Sequence, residues 1–153
     1  MREWVFSLPG DRQRALRHFM KTVSAAVIEN DGRVLIARRK PTDTLGGFWE
    51  FPGGKVEGEE TPQECLKREI SEELGVDSEA GDEICRSIYE YEHGAFEIIA
   101  IKTSLKSFHF KLSSHDKADF IEKSRLLEFN LLPADIPIAE KIMEMKDALT
   151  GSR

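Results

Sequence analysis

The residues between Thr61 and Gly75 commit this chain to a helix more firmly than any other segment does. Thr61 offers a hydroxyl for the N-cap, Pro62 suits the first helical position, and Glu64 stands at the capping-box position. Gly75 supplies the stop after Leu74. Cys65, Leu66, Ile70 and Leu74 share one sector of the helical wheel. At roughly 100° per residue, Glu69 and Glu73 lie one turn apart on a shared face, with Glu72 beside them. These carboxylates overlap the margin of the apolar stripe instead of opposing it.

That placement creates an electrostatic problem. Gly54–Val76 holds seven glutamates against Lys55, Lys67 and Arg68, a net charge of −4. Like charges at the edge of a core repel, and partial loss of water raises the cost. The cluster also sits away from the helix N-terminus, where the dipole favours carboxylates. Lys67 and Arg68 are too few to neutralise it, whereas a divalent cation can. All-oxygen ligands favour Mg²⁺, or Mn²⁺, over Zn²⁺. Backbone carbonyls at Gly53-Gly54 could add ligands, since glycine lets backbone approach closely. The plainer alternative is a solvated acidic face. The cap, the Gly-Gly entry and the Arg68-Glu69 pair weigh against it.

The whole chain has 153 residues and a formal charge of −6. That length suits one domain. Residues 1–21 carry +3, from Arg2, Arg12, Arg14, Arg17 and Lys21 against Glu3 and Asp11, so the remainder carries −9. An acidic chain is a poor partner for duplex nucleic acid, which wants a basic face. It remains compatible with a small phosphate-bearing molecule that arrives with metal. Two cysteines, Cys65 and Cys85, are too few for a disulfide scaffold. There is no long apolar run and no signal-peptide core. The expectation is a cytoplasmic protein without a membrane partner, monomeric or homodimeric.

Residues 1–20 read as an N-terminal extension, with a turn at Leu8-Pro9-Gly10 and a short helix over Arg12–Met20; residues 21–150 read as the domain. Strands are predicted over Thr22–Glu29 and Arg33–Arg38, joined by a hairpin turn at Asn30-Asp31-Gly32. A short strand over Phe48–Phe51 ends in a turn at Pro52-Gly53-Gly54. Ile84–Tyr91 and Ala95–Lys102 form a second strand pair. Lys106–Leu112 alternates as a weaker strand, and Ser113–Ala118 reads as a polar loop. Phe120-Ile121 is a short strand, Glu122–Leu127 a helical turn, and Ile138–Leu149 a last amphipathic helix. This order suggests an α+β fold with layered helices and sheet.

The glutamate helix carries a resemblance. Gly54, five residues, Glu60, seven residues, then Arg68-Glu69-Ile70-Ser71-Glu72-Glu73-Leu74-Gly75-Val76 resembles the Nudix box at every fixed position. The flanks Trp49-Glu50-Phe51-Pro52-Gly53-Gly54-Lys55 and Leu132-Pro133-Ala134-Asp135-Ile136-Pro137 resemble the MutT branch of that family. The similarity in order runs from about Lys21 to Lys146. It implies a Nudix-type α/β/α sandwich with a mixed β-sheet. It implies hydrolysis of a nucleoside diphosphate linked to another group. Glu69, Glu72 and Glu73 would bind Mg²⁺ with the Gly53 carbonyl, Arg68 and Glu60 would orient the helix, and Glu69 would help activate water.

In the MutT branch water attacks the β-phosphorus of a nucleoside triphosphate, giving a monophosphate and pyrophosphate. Arg39, Phe51, Lys55 and Asp135 match candidate substrate-binding positions. Arg39 is otherwise a strand-end charge, Asp135 a cap for the last helix, and Phe51, like Phe48, a core aromatic. Two departures stand out. Ser114 replaces a glutamate that many relatives carry before the loop histidine, leaving His115 or Asp116 as substitutes. No arginine lies between Arg86 and Arg125. The leading expectation is pool sanitation of oxidised (d)GTP such as 8-oxo-dGTP. The alternatives are hydrolysis of CTP or a modified pyrimidine triphosphate, and a non-catalytic nucleotide-sensing domain.

Overall fold

A computed structural model describes residues 3–5, 20–92 and 94–145. The turn expected at Leu8-Pro9-Gly10, the helix expected over residues 12–19 and the end of the last helix beyond Met145 lie outside them. The strands are β1 (Glu3–Val5), β2 (Lys21–Asn30), β3 (Arg33–Arg39), β4 (Trp49–Glu50), β5 (Gly53–Lys55), β6 (Ser78–Tyr91), β7 (Gly94–Leu105) and β8 (His115–Glu122). The α-helices are α1 (Pro62–Leu74) and α2 (Ile136–Glu144), with 3₁₀ turns at Lys123–Glu128 and Pro133–Asp135.

The sheet is mixed and runs β1-β6-β7-β2-β3-β4. β2 lies parallel to β7 from Lys21 to Ile28 and antiparallel to β5 across Val23–Ala25. Its pairing with β3 is confined to Glu29 and Asn30, next to the hairpin turn. β3 then continues with β4 on one edge and β8 on the other. The sheet therefore forks at β2. Asp31 and Gly32 take φ of 60° and 78°, the left-handed pair that a tight hairpin turn requires.

Two cores follow from the two-residue period of the strands. Ala25, Val27, Val34, Ile36, Ile98 and Ala100 face α2 through Ile138, Ala139 and Ile142. Ala26, Ile28, Leu35, Ile99 and Ile101 face α1 through Leu66, Ile70 and Leu74. Burying each of those three side chains contributes about 1.5–3 kcal/mol, which fixes the rotation of α1. The expected capping box is formed: Glu64 N donates to Thr61 Oγ1 at 3.0 Å, and Thr61 N to Glu64 Oε1 at 2.8 Å. Gly75 closes the helix at φ 69°. The result is the expected α+β sandwich of helix, mixed sheet and helix.

Several local expectations are corrected. Gly53-Gly54 is not a turn but part of β5. Lys106–Leu112 is not a strand, because its backbone caps the glutamate helix: Lys111 N donates to Leu74 O at 2.8 Å. Phe110 and Leu112 pack against the α1-side core instead. The strand after that loop starts at His115, not near Phe120, and β6 starts at Ser78, not Ile84. Irregular register between Ala80 and Cys85 hides the alternation of β6. β1 adds to the outer edge of β6, so part of the N-terminal segment joins the sheet. No helix among the described residues is long and apolar enough to cross a membrane.

Candidate active site

Arg68 organises the glutamate helix. Its Nε donates to Glu60 Oε2 at 2.6 Å and its Nη2 to Glu60 Oε1 at 3.0 Å, a two-pronged pair. Nη1 reaches Glu69 Oε2 at 3.0 Å and lies 3.5 Å from Glu72 Oε1. Nη2 also donates to the carbonyl of Lys55 at 3.2 Å, tying α1 to β5. The Arg68 hydrogen bonds hold the Glu60 carboxyl down at about 2, and Glu60 in turn raises Arg68 above its ordinary range. Cys65, buried under the same segment, has its thiol pushed up to about 11 by burial. It is an ordinary packed thiol.

Glu69 follows Arg68 directly, and Glu73 stands one turn further along. The Glu69 side chain is 15% exposed, whereas that of Glu72 is 60% exposed. Gly53 N donates to Glu73 Oε1 at 3.3 Å. Burial, a hydrogen bond with Glu69 and the charges of Glu50 and Glu69 push Glu73 up to about 9. Gly54 has no room for a side chain: a Cβ there would lie 2.3–2.8 Å from the Glu69 carboxyl. At Gly53, with φ 152°, a Cβ would strike Ser24 O at 2.0 Å. Both glycines are required by close approach, one to a strand and one to a carboxylate.

Beside them lies a cavity of about 400 Å³ in the fork of the sheet. Glu73, Gly53, Gly54 and Lys55 line it on one side, and Arg39, Glu50, His115 and Asp135 on the other. Asp135 Oδ2 accepts from Phe51 N at 2.9 Å. Burial, then the charge of Glu50, pushes its carboxyl up to about 8 against the opposing effects of Phe51 N and Arg39. It occupies the cap position of α2, but its side chain makes no capping bond there. Phe51 lines the cavity and belongs to the α2-side core. Half-buried Phe48 does not line it.

Glu50 is the residue that sequence reasoning missed. Arg39 Nη1 reaches its two oxygens at 3.3 and 3.4 Å, and His115 Nε2 lies 2.8 Å from Oε2. The alternation of β4 was the available signal, since Trp49 and Phe51 face the core and Glu50 must face away. In the loop that departs from the family pattern, Ser114 and His115 line the cavity. Asp116 turns outward to Arg38 at 2.8 and 3.0 Å.

Among the described residues no three His, Cys, Asp or Glu side chains gather as a finished ligand set. The donor chemistry still fits a hard divalent cation. Two carboxylates pressed together on a buried edge need a proton or a cation between them, and Glu73 holds a proton far above its ordinary range. The donors that the glutamate helix offers at that edge are all carboxylate oxygens.

Comparison with known proteins fits this arrangement. Residues 18–133 match the family described as the NUDIX domain. The chain is 34% identical over 131 residues to a CTP pyrophosphohydrolase of Escherichia coli K12, covering 84% of this chain and 96% of that one. It is 50% identical over 56 residues to an 8-oxo-dGTP diphosphatase of Proteus vulgaris, covering 36% and 50%. Among solved structures it is similar to a MutT Nudix hydrolase from methicillin-resistant Staphylococcus aureus 252, at 36% identity and a TM-score of 0.65 over 82% of this chain and 96% of that one. It is also similar to the E. coli ORF135 protein, at 31% identity and 0.72 over 91% and 98%. A family match over most of the domain, a relative aligned along nearly its whole length and an intact glutamate helix place this chain in the Nudix hydrolase family, among its MutT-like members.

Proposed function

We propose that the protein is a Mg²⁺-dependent nucleoside triphosphate pyrophosphohydrolase, releasing a nucleoside monophosphate and pyrophosphate. The observation that carries this reading is one cavity lined by Glu73 and Gly53 at one end and by buried Asp135 at the other. Phosphoanhydride hydrolysis needs charge neutralisation and a positioned water more than covalent chemistry. Mg²⁺ held by Glu69, Glu72, Glu73 and the Gly53 carbonyl would neutralise the phosphates and lower the pKa of water. Glu69, held by Arg68 at 3.0 Å, would accept the proton of the attacking water. Lys55 and Arg39 offer positive charge to the phosphates from two walls. Asp135 reads the base edge: protonated, its carboxyl donates from one oxygen and accepts at the other.

Oxidised (d)GTP is the leading substrate, supported by the Proteus vulgaris relative through its name. CTP or a modified pyrimidine triphosphate is the second reading, favoured by the E. coli relative that aligns over 96% of its own length. The test is a panel of 8-oxo-dGTP, dGTP, CTP, dCTP and 5-methyl-dCTP with Mg²⁺, run in ¹⁸O-water with both products identified. Label in pyrophosphate marks attack at the β-phosphorus. Release of orthophosphate, or no turnover of any member, overturns the reading.

A further inference from the structure

The nucleotide cavity adjoins an apolar annex of about 260 Å³ across three shared side chains, Phe96, Leu132 and Ala134. None of the side chains that line the annex is charged. Tyr89 and Tyr91 tilt against Phe96 with ring centroids 5.5 and 6.1 Å away, forming an aromatic floor. Leu45 and Tyr91, which line it, are 43% and 39% exposed, so they add to an apolar patch open to solvent.

Leu45 is unusual in a second way. Its φ is 59°, in the left-handed region that residues with a Cβ avoid. The loop that presents it is firmly built. Arg39 Nε donates to Thr44 O at 2.8 Å, Gly46 N to Asp43 O at 3.0 Å and Gly47 N to Arg39 O at 2.9 Å. A strained backbone holding an exposed leucine in place gains nothing from the free protein, and such outliers cluster where ligands bind. Ala134 lines both cavities, and its chain neighbour Asp135 lines the main one. A base that hydrogen-bonds to Asp135 sits in the cavity that shares this wall with the annex.

We propose that the annex is a subsite for an apolar substituent on the nucleobase, so that the enzyme favours nucleoside triphosphates whose bases carry a hydrocarbon or aryl addition. This rests on the pyrophosphohydrolase reading and names a substrate class for it. An apolar cavity of about 150 Å³ accepts benzene, so the annex has room for an aryl group.

The test uses two matched pairs, dCTP with 5-propynyl-dCTP and dGTP with 7-propynyl-7-deaza-dGTP, on the full chain with Mg²⁺. In at least one pair the propynyl form should be turned over with kcat/KM about tenfold higher, the gain lying in KM, as burial of a three-carbon group implies. In Leu45→Ser and Tyr91→Ser the ratio within that pair should fall toward one. If the parents are hydrolysed and the propynyl forms are no better in either pair, the annex is not a subsite. A preference that survives both substitutions also overturns it. No turnover of any of the four, while 8-oxo-dGTP or CTP is hydrolysed, also overturns the inference. No turnover of these and of the nucleotide panel sinks the pyrophosphohydrolase reading, and this inference with it.

Discussion

His115 Nε2 on β8 lies 2.8 Å from Glu50 Oε2 on β4, and the His115 side chain is only 1% exposed. With Arg39 on the other side, the pair fixes Glu50 at the wall of the cavity, where its charge raises both Glu73 and Asp135. Glu50→Gln keeps the shape and removes that charge. The Asp135 carboxyl should then titrate lower than in the wild type. Carboxyl ¹³C NMR of labelled aspartate measures this, and an unmoved Asp135 titration would remove Glu50 from the account.

Asp135→Asn should change how stability depends on pH. Burial raises the folded-state pKa of Asp135 to about 8, against about 3.9 unfolded. Between those values the folded state keeps a proton that the unfolded state has lost. This residue therefore costs stability as pH rises from about 4 to about 8, and nothing further above that. Asparagine has no such slope and still offers an oxygen to Phe51 N. Urea unfolding at pH 5, 7 and 9 should show the variant gaining on the wild type by up to a few kcal/mol at the alkaline end. A constant difference across the range contradicts the assignment.

The two glycines of β5 should fail differently. Gly53→Ala drives a Cβ into the Ser24 carbonyl, so it should lower the melting temperature by at least about 10 °C, consistent with several kcal/mol of backbone strain. Gly54→Ala meets the end of the Glu69 side chain, which is able to swing aside. It should fold near normally and lose activity about a hundredfold, as expected when a positioned carboxylate shifts by an ångström. Thermal melts and initial rates of both variants check the contrast.

Glu69→Gln and Glu73→Gln should each lower kcat by at least about a hundredfold while the fold persists. Without divalent cation Glu73→Gln should melt higher than the wild type at neutral pH, because the folded wild type must hold a proton on Glu73 that the unfolded chain has released. Mg²⁺ should raise the melting temperature of the wild type and have little effect on Glu73→Gln. A Mg²⁺ response that survives in Glu73→Gln would remove Glu73 from the proposed ligands.

The glutamate helix was legible because its signals are local. A cap, a proline, an apolar stripe and a stop glycine all fall within one segment, and the structure forms each of them. The hairpin at Asp31-Gly32 was legible for the same reason. What failed was decided at a distance. Lys106–Leu112 alternates like a strand, yet Lys111 N is spent on the end of α1, Lys106 N on Asp77 O, and its aromatics on Phe120. Gly53-Gly54 carries two turn-forming residues, but β2 was free to pair there because β3 departs from it beyond the Glu29–Val34 pair. Glu50 went unassigned because its importance comes from Arg39 and His115, eleven and sixty-five positions away. The neighbours of Asp135 were equally unreadable, although its position in Leu132-Pro133-Ala134-Asp135 pointed to it.

The fork at β2 has a mechanical consequence. Glu69, Glu73 and Gly53 are mounted on the branch built from β2, β5 and α1, while Arg39, Glu50 and His115 ride on the branch built from β3, β4 and β8. Between Val23–Ala25, where β2 meets β5, and Glu29, where it meets β3, no ladder binds the two branches edge to edge. The branches meet instead at the Phe51-Pro52 link from β4 to β5, where Ala26 N donates to Pro52 O at 2.7 Å. The groups proposed for hydrolysis and Arg39, proposed to hold the substrate, thus stand on separate branches, with the cavity between them.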